Sequence, residues 1–314
     1  ATKADFTRIS TKRVIKLFAP QEIKYSDIDF SDNVEIGKGS FGKVVKAKYH
    51  EIDVAVKTLH RQKLTSAELL NFKREAAIMQ KVGGHKHIAR MYGFCTKPQI
   101  CIVSEYYERG SLHDLIKQSQ SKDGTKISSD LRIQMSIEAS LGIHHLHQQQ
   151  VIHRDVSARN LLVDKNWTVV VADLGMSTLK SKIKQNQKKQ SSQPVPVKWM
   201  APESIIGHEY SEKTDSYSFG ITLYEIFSES EPYPGLLPLE AGAKVVHEGL
   251  RPSIDKNKKI RNIPNLQKLL KMLWKTQPKD RPDFYFISQS LKKIKKQWNS
   301  LRHTGNKKDL YIVQ

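Results

Sequence analysis

Asp155, Asn160 and Asp173 are the residues of this chain whose types and spacing most directly permit chemistry. Asp155 and Asn160 stand five apart in His153-Arg154-Asp155-Val156-Ser157-Ala158-Arg159-Asn160, a polar segment between the apolar runs Val151-Ile152 and Leu161-Leu162-Val163. A short polar loop clamped by strand-like runs presents a carboxylate rigidly to a ligand. At this spacing the carboxylate suits a base for a hydroxyl proton, and the amide oxygen suits a metal ion. Ten residues beyond Val163 comes a second acid, in Asp173-Leu174-Gly175 after the run Val169-Val170-Val171-Ala172. A His-Arg-Asp triplet by itself arises by accident, so the reading depends on what stands upstream and downstream.

Upstream, Val34-Glu35-Ile36 leads into Gly37-Lys38-Gly39-Ser40-Phe41-Gly42. A Gly-x-Gly-x-x-Gly can open a helix, but Val44 to Tyr49 is β-branched and alternating, which predicts a strand. Strand, turn and strand make a flap whose glycines let backbone approach phosphates. An ordinary Gly-rich hairpin is the plainer reading of this motif alone. In Ile52 to Leu59 the period of two puts Ala55 and Lys57 on one face. A Lys on an apolar strand face needs a partner, because an unpaired buried ammonium is costly. The next segment offers one. A helix is expected from a Ser66 cap to Val82, stopped by Gly83-Gly84, with Leu69, Phe72, Ala76 and Met79 as its apolar stripe. Glu75 edges that stripe, so a Lys57–Glu75 ion pair is expected rather than two independent surface charges.

Two frames must hold these residues. Ile88 to Cys95 and Gln99 to Glu105 read as further strands of a small antiparallel sheet, and Glu105 to Leu112 as the hinge out of it. Gln118 to Ser129 reads as a polar loop, and Asp130 to Gln148 as a helix with Ile133, Ile137 and Leu141 on one stripe. Asp215 to Phe227 is apolar round most of its circumference, which predicts a central buried helix. Amphipathic helices are expected around Leu239–Val246, Leu266–Leu273 and Phe284–Ile294, with Arg281 as a candidate partner for Glu203. Ser177 to Val195 is almost free of apolar residues and carries Lys180, Lys182, Lys184, Lys188 and Lys189, so it is expected to be mobile unless tied down.

The totals fit that plan. At 314 residues the chain is long for one core and predicts two lobes, which an apolar content of 38% with four Trp can fill. No run approaches the roughly 18 apolar residues of a membrane helix, so no transmembrane segment is expected. Ala1 to Lys24 lacks the apolar stretch of a signal peptide, and the missing initiator Met fits a piece of a longer chain. Cys95 and Cys101 each sit in an apolar strand-like run and read as buried free thiols of a reducing compartment, hence a cytoplasmic location. A formal charge of +20, from 52 Lys and Arg against 32 Asp and Glu, favours acidic partners or anionic lipid. No aromatic-interleaved basic stripe or zinc spacing accompanies it. No dedicated nucleic-acid binding is therefore expected, and most of the excess reads as solvated surface.

From about Asp32 to Trp298, these motifs in this order resemble a eukaryotic protein kinase domain of the tyrosine kinase or tyrosine-kinase-like branch. The resemblance implies an α+β, bilobal protein kinase fold. Residues 1–31 would be an N-terminal extension, and 32–106 an N-lobe of small antiparallel β-sheet with one key helix. Residues 107–298 would be a mainly α-helical C-lobe with catalytic and activation loops, and 299–314 a tail. ATP and Mg2+ are the implied cofactors and a protein the implied substrate. By the same likeness Gly37, Lys38, Gly39, Ser40, Phe41 and Gly42 cover the phosphates, while Lys57, held by Glu75, reaches the α and β phosphates. Asn160 and Asp173 would hold magnesium, and Asp155 would accept the substrate hydroxyl proton with Arg159 beside it. Val44, Ala55 and Leu162 would sandwich the adenine, hydrogen-bonded to backbone at Glu105, Tyr106 and Tyr107 behind Ser104, the gatekeeper position.

Fewer residues bear on the acceptor. Ser157 and Pro196 stand where Ser/Thr kinases typically carry Lys and Thr, and Arg159 lies four after Asp155. With Val197-Lys198-Trp199-Met200 this is similar to tyrosine kinases, and tyrosine is the acceptor expected. The very short turn before Val54 is similar instead to the tyrosine-kinase-like group, so a serine/threonine or dual-specificity kinase stays the alternative. A nucleotide-binding pseudokinase scaffold is a further reading, although no phosphate, metal or base position is missing. Between Asp173 and Glu203 there is no tyrosine, so activity is expected not to need loop tyrosine phosphorylation. Arg154 would pair with any loop phosphate, carried by Ser177, Thr178, Ser181, Ser191 or Ser192.

Overall fold

Alternation with period two becomes a sheet in the first hundred residues, and the 3.6-residue pattern beyond them becomes helices. The computed structural model describes residues 21–39, 42–59, 64–179, 196–255 and 257–303. They fall into two units: the described residues to Gly84 with Ala89–Tyr106, and His85–Ile88 with those from Tyr107 on. Ser40 and Phe41 of the flap, Ser181, Ser191 and Ser192, and residues 1–20 and 304–314 lie outside the described residues.

In the first unit β1 (Ile28–Gly39), β2 (Gly42–Tyr49), β3 (Ile52–Leu59), β4 (Met91–Cys95) and β5 (Cys101–Glu105) form one antiparallel sheet, in the order β1-β2-β3-β5-β4. His50 and Glu51 join β2 to β3 with φ of 47° and 62°, the left-handed backbone that suits the twist of a tight hairpin. Residues opposite one another share a face. One face therefore collects Val45, Ala47, Val54, Val56, Cys101 and Val103, closed over by Ile23 and Ile28. Burial of that face drives the unit's collapse, at roughly 25 cal/mol per Å² of apolar surface. Cys95 and Cys101 stand opposite each other there as free, buried thiols. β1 starts at Ile28, ahead of the 31/32 boundary expected from the sequence.

The opposite face carries Val44, Ala55, Lys57 and Ser104, all half-buried. α1 (Ser66–Val82) packs on it: the Phe72 ring meets Phe94 edge-on at 5.7 Å, and Phe94 stands opposite Ile102, itself opposite Lys57. Phe72, Ala76 and Met79 are buried as the stripe predicts, whereas Leu69 is only half-buried. The cap is Thr65 rather than Ser66. Its hydroxyl accepts from the Glu68 N–H at 3.3 Å while the Glu68 carboxylate accepts from the Thr65 N–H at 2.8 Å, a capping box that Glu at the third position completes.

The second unit begins with a detour. Val171 N–H donates to the His87 carbonyl at 2.9 Å and Ile88 bridges Val171, so the chain at 87–88 is already paired. For that reason β4 starts at Met91 and not at Ile88 as expected. α2 (Leu112–Ser119), α3 (Ser129–Gln148), α4 (Pro202–Gly207), α5 (Glu212–Ser228), α6 (Pro238–His247), α7 (Lys258–Arg261), α8 (Leu266–Leu273) and α9 (Phe284–His303) make up its helices. Its short strands pair β6 (Val151–Ile152) with β9 (Thr178–Leu179) and β7 (Leu161–Val163) with β8 (Val169–Val171). α5 is buried from Thr214 to Ser228, the central helix its composition predicts, and α9 runs on past Ile294 to His303. Arg281 is buried and does pair with Glu203, at 2.6 and 2.9 Å. A five-stranded antiparallel sheet with one key helix and a mainly helical unit together make the bilobal α+β kinase fold. Among the described residues no helix is long and apolar enough to cross a membrane.

Candidate active site

In the first unit Gly37 pairs with Val44, Lys38 with Lys43 and Gly39 with Gly42, so the Gly-rich motif is a strand–turn–strand. Its glycines differ in what they permit. A Cβ on Gly42 would sit 1.7 Å from the Thr58 carbonyl oxygen, so β2 lies closer to β3 there than any side chain allows. A Cβ on Gly37 would meet only Val44, at 3.8 Å, an ordinary contact. Packing does not demand glycine at 37; what glycine leaves there is open backbone beside Val44, a surface a phosphate can approach. Lys57 lies between Val44 and Ile102 across the sheet, and Glu75 is half-buried on the helix that packs against this face. Ser104 Oγ donates to the Ala55 carbonyl at 3.4 Å, and Lys46 Nζ stands 4.8 Å over the Tyr106 ring. The Glu105 N–H donates to Arg90 at 2.9 Å, so that hinge donor is engaged within the sheet.

In the second unit Asp155, Asn160 and Asp173 are tied into one cluster. His153 is fully buried; its Nδ1 accepts from the Asp155 N–H at 3.2 Å, so Nε2 carries the proton and donates to the Ala172 carbonyl at 3.2 Å. Asn160 Nδ2 donates to the Asp155 carbonyl at 2.8 Å, which presents its Oδ1 as the acceptor for a cation. Ala172 N–H donates to the Asn160 carbonyl at 2.9 Å, and β7 paired with β8 carries the same tie outward. Asp173 then turns the chain in the left-handed region, at φ 53° and ψ 69°, and its Oδ1 accepts from Gly175 N–H at 3.4 Å. A non-glycine residue held there costs roughly 1–2 kcal/mol, offset by the surrounding ties.

Burial holds the Asp155 carboxyl above the ordinary aspartate range. His153, the Asn160 hydrogen bond and Arg159 pull it partly back, and the Asp173 charge pushes it further up. Two carboxylates that feel each other, with an amide oxygen beside them, suit a divalent cation. Among the described residues no group of three or more His, Cys, Asp and Glu converges.

Sequence reasoning passed over the residue that clamps this loop. Asp215, 1% exposed on α5, accepts from the His153 N–H at 2.8 Å and the Arg154 N–H at 2.9 Å, with His147 Nε2 at 2.8 Å. Glu225, also on α5, accepts from Trp199 Nε1 at 2.6 Å and from the Ala158 N–H at 3.4 Å. The signal was legible: acids inside a helix that is apolar on all sides must have buried partners. Arg154 stacks 3.9 Å over the Tyr210 ring, and its buried Nε has no hydrogen-bond partner among the described residues. Arg159 lies exposed, 5.2 Å over the Trp199 ring, while Ser157 is buried and Pro196 half-buried. Leu162 is half-buried on β7, Tyr107 is buried, and Leu174 fills its site at 3% exposure.

Residues 30–291 match the family described as protein tyrosine and serine/threonine kinase. The chain belongs to that family. The kinase is 37% identical over 264 residues to the serine/threonine-protein kinase STY46 of Arabidopsis thaliana, covering 84% of this chain and 44% of that one. It is 37% identical over 278 residues to the dual specificity protein kinase shkC of Dictyostelium discoideum, covering 87% and 52%, and 34% identical over 276 residues to the serine/threonine-protein kinase CTR1 of Arabidopsis thaliana, covering 87% and 32%. The kinase thus spans about half or less of the length of these relatives. They favour the tyrosine-kinase-like side of the resemblance, and the tyrosine acceptor expected from Ser157, Arg159 and Pro196 finds no support among them. The structure supplies a physical reason: Ser157 is buried and Arg159 packs on Trp199, so neither residue's type reports the acceptor alone.

Proposed function

We propose that this kinase transfers the γ-phosphoryl group of ATP to a serine or threonine hydroxyl of a protein substrate, with tyrosine as a second, dual-specificity acceptor. The observation that carries the reading is the loop in which Asn160 Nδ2 donates to the Asp155 carbonyl, with Asp173 following Ala172, whose N–H donates to the Asn160 carbonyl. Asp155, its pKa raised by burial, takes the hydroxyl proton, a role worth roughly 10²–10⁴-fold in rate. The Asn160 amide oxygen and the Asp173 carboxylate would hold magnesium, which supplies charge neutralisation on the phosphates. Lys57, steadied by Glu75, places an ammonium against the phosphates, and open backbone at Gly37 lets them approach. By the family likeness Val44, Ala55 and Leu162 would contact the adenine, and backbone at Glu105, Tyr106 and Tyr107 would hydrogen-bond to it. In reactions of this kind, in-line placement of the reacting groups is worth roughly 7–11 kcal/mol. Two buried free thiols support a reducing, cytoplasmic setting.

Labelled ATP and mixed protein substrates, followed by phosphoamino-acid analysis, test the proposal. Phosphoserine and phosphothreonine are expected, and both disappear in Asp155→Asn. Phosphotyrosine alone would overturn the acceptor, and magnesium-dependent ATP binding without transfer would leave the pseudokinase reading standing.

A further inference from the structure

α3 and α9 leave an open groove of about 620 Å³ on the helical unit. Ile137 and Leu141, four apart on α3, line it with apolar surface. Lys292, Lys295 and Lys296 line it from α9, and Lys295 Nζ donates to Gln134 Oε1 at 2.6 Å. No carboxylate is among the described residues that line the groove. α9 has no Asp or Glu in its 20 residues, and Glu138 of α3, which does not line the groove, is 8% exposed and accepts from the Val169 N–H at 2.8 Å and from Gln134 Nε2 at 2.7 Å. Three ammonium groups beside an apolar strip, with no local counter-charge in the lining, call for carboxylates from outside. Leu141 is half-buried and Ile137 5% exposed, so the apolar surface offered is a narrow strip beside the three ammonium groups. The chain's own last eleven residues, 304–314, carry Lys307 and Lys308 against Asp309 and have the wrong charge.

We propose that this groove docks an acidic amphipathic peptide segment of a partner protein. Its apolar side chains lie on Ile137 and Leu141, and its carboxylates face Lys292, Lys295 and Lys296. None of the lining residues belongs to the Asp155 loop, so the groove recruits a partner without taking part in the chemistry.

The test uses a short fluorescein-labelled peptide with leucines at i, i+4 spacing flanked by glutamates, followed by anisotropy. Lys292→Glu combined with Lys296→Glu is expected to weaken binding about tenfold or more. Lys268→Glu, an exposed α8 position outside the groove, is expected to leave it unchanged, and serines in place of the peptide's leucines to weaken it. Unaltered catalytic turnover of the double variant on a small acceptor checks its folding. No peptide binding, equal loss with Lys268→Glu, or indifference to the leucines would overturn the proposal. So would cosedimentation with phosphatidylserine vesicles that depends on Lys292 and Lys296 while the peptide is ignored, which would assign the surface to a membrane.

Discussion

The Asp155 carboxylate sits where folding disfavours its charge. An acid whose pKa is raised in the folded state is penalised when ionised. The penalty is absent below the unfolded pKa and complete once the pH passes the folded value. Asp155→Asn is therefore expected to keep or raise the neutral-pH Tm in differential scanning fluorimetry, while initial rates fall roughly 10²–10⁴-fold. In the native enzyme the acid limb of kcat/KM should lie above the roughly 3.9 of an ordinary aspartate, because the base must be deprotonated to act. A steep fall in Tm with little loss of rate would contradict this role. Asp215 presents the complementary case. It holds two loop N–H groups and His147 through two oxygens. In Asp215→Asn one oxygen becomes an NH2 that faces donors, so about 1–3 kcal/mol of stability should be lost in chemical denaturation. Turnover should fall as well, because the loop that carries Asp155 loses its anchor.

At the scale of the element, the two ends of the Gly-rich hairpin answer differently to the same methyl group. Gly42→Ala would drive Cβ into the Thr58 backbone at 1.7 Å, so β2 and β3 must separate. A loss of more than about 2 kcal/mol in calorimetric stability is expected. Gly37→Ala meets Val44 at an ordinary 3.8 Å and should change stability by less than about 0.5 kcal/mol, yet raise the KM for ATP. If both variants lose only stability, the open backbone at Gly37 does not meet a phosphate.

Across the helical unit as a whole, one buried guanidinium joins segments that are distant in sequence. Arg281 Nε donates to the Lys275 carbonyl at 2.7 Å, Nη1 to Glu203 at 2.6 Å and Lys213 at 3.0 Å, and Nη2 to Glu203 at 2.9 Å and Thr276 at 3.0 Å. α4, α5 and the end of α8 are thereby pinned at one point. Removing one partner of a buried pair strands the other, so Arg281→Ala should cost roughly 3–5 kcal/mol by urea midpoint. Arg281→Lys should recover little, since three donors on a point charge cannot reach oxygens arranged for a planar fork. Full recovery by Lys would reduce the site to simple charge pairing.

The order of the motifs, the sheet-then-helix plan, the Phe72–Ala76–Met79 stripe and the buried α5 were all legible in the residues, because spacing and periodicity are properties of the chain itself. The Glu203–Arg281 pair is also expected from the sequence, and the structure shows it. Other features required the fold. Asp215 reaches His153 across 62 residues of sequence, and His87 leaves its neighbours to accept from Val171. Nothing local distinguishes such acceptors, because a buried N–H is satisfied by whichever oxygen packing brings within about 3 Å. The residues read for the acceptor hydroxyl meet the same limit. Ser157 and Arg159 look like a specificity signature in the chain, but packing buries one and lays the other on Trp199, and only the tertiary arrangement decides what a side chain is free to touch.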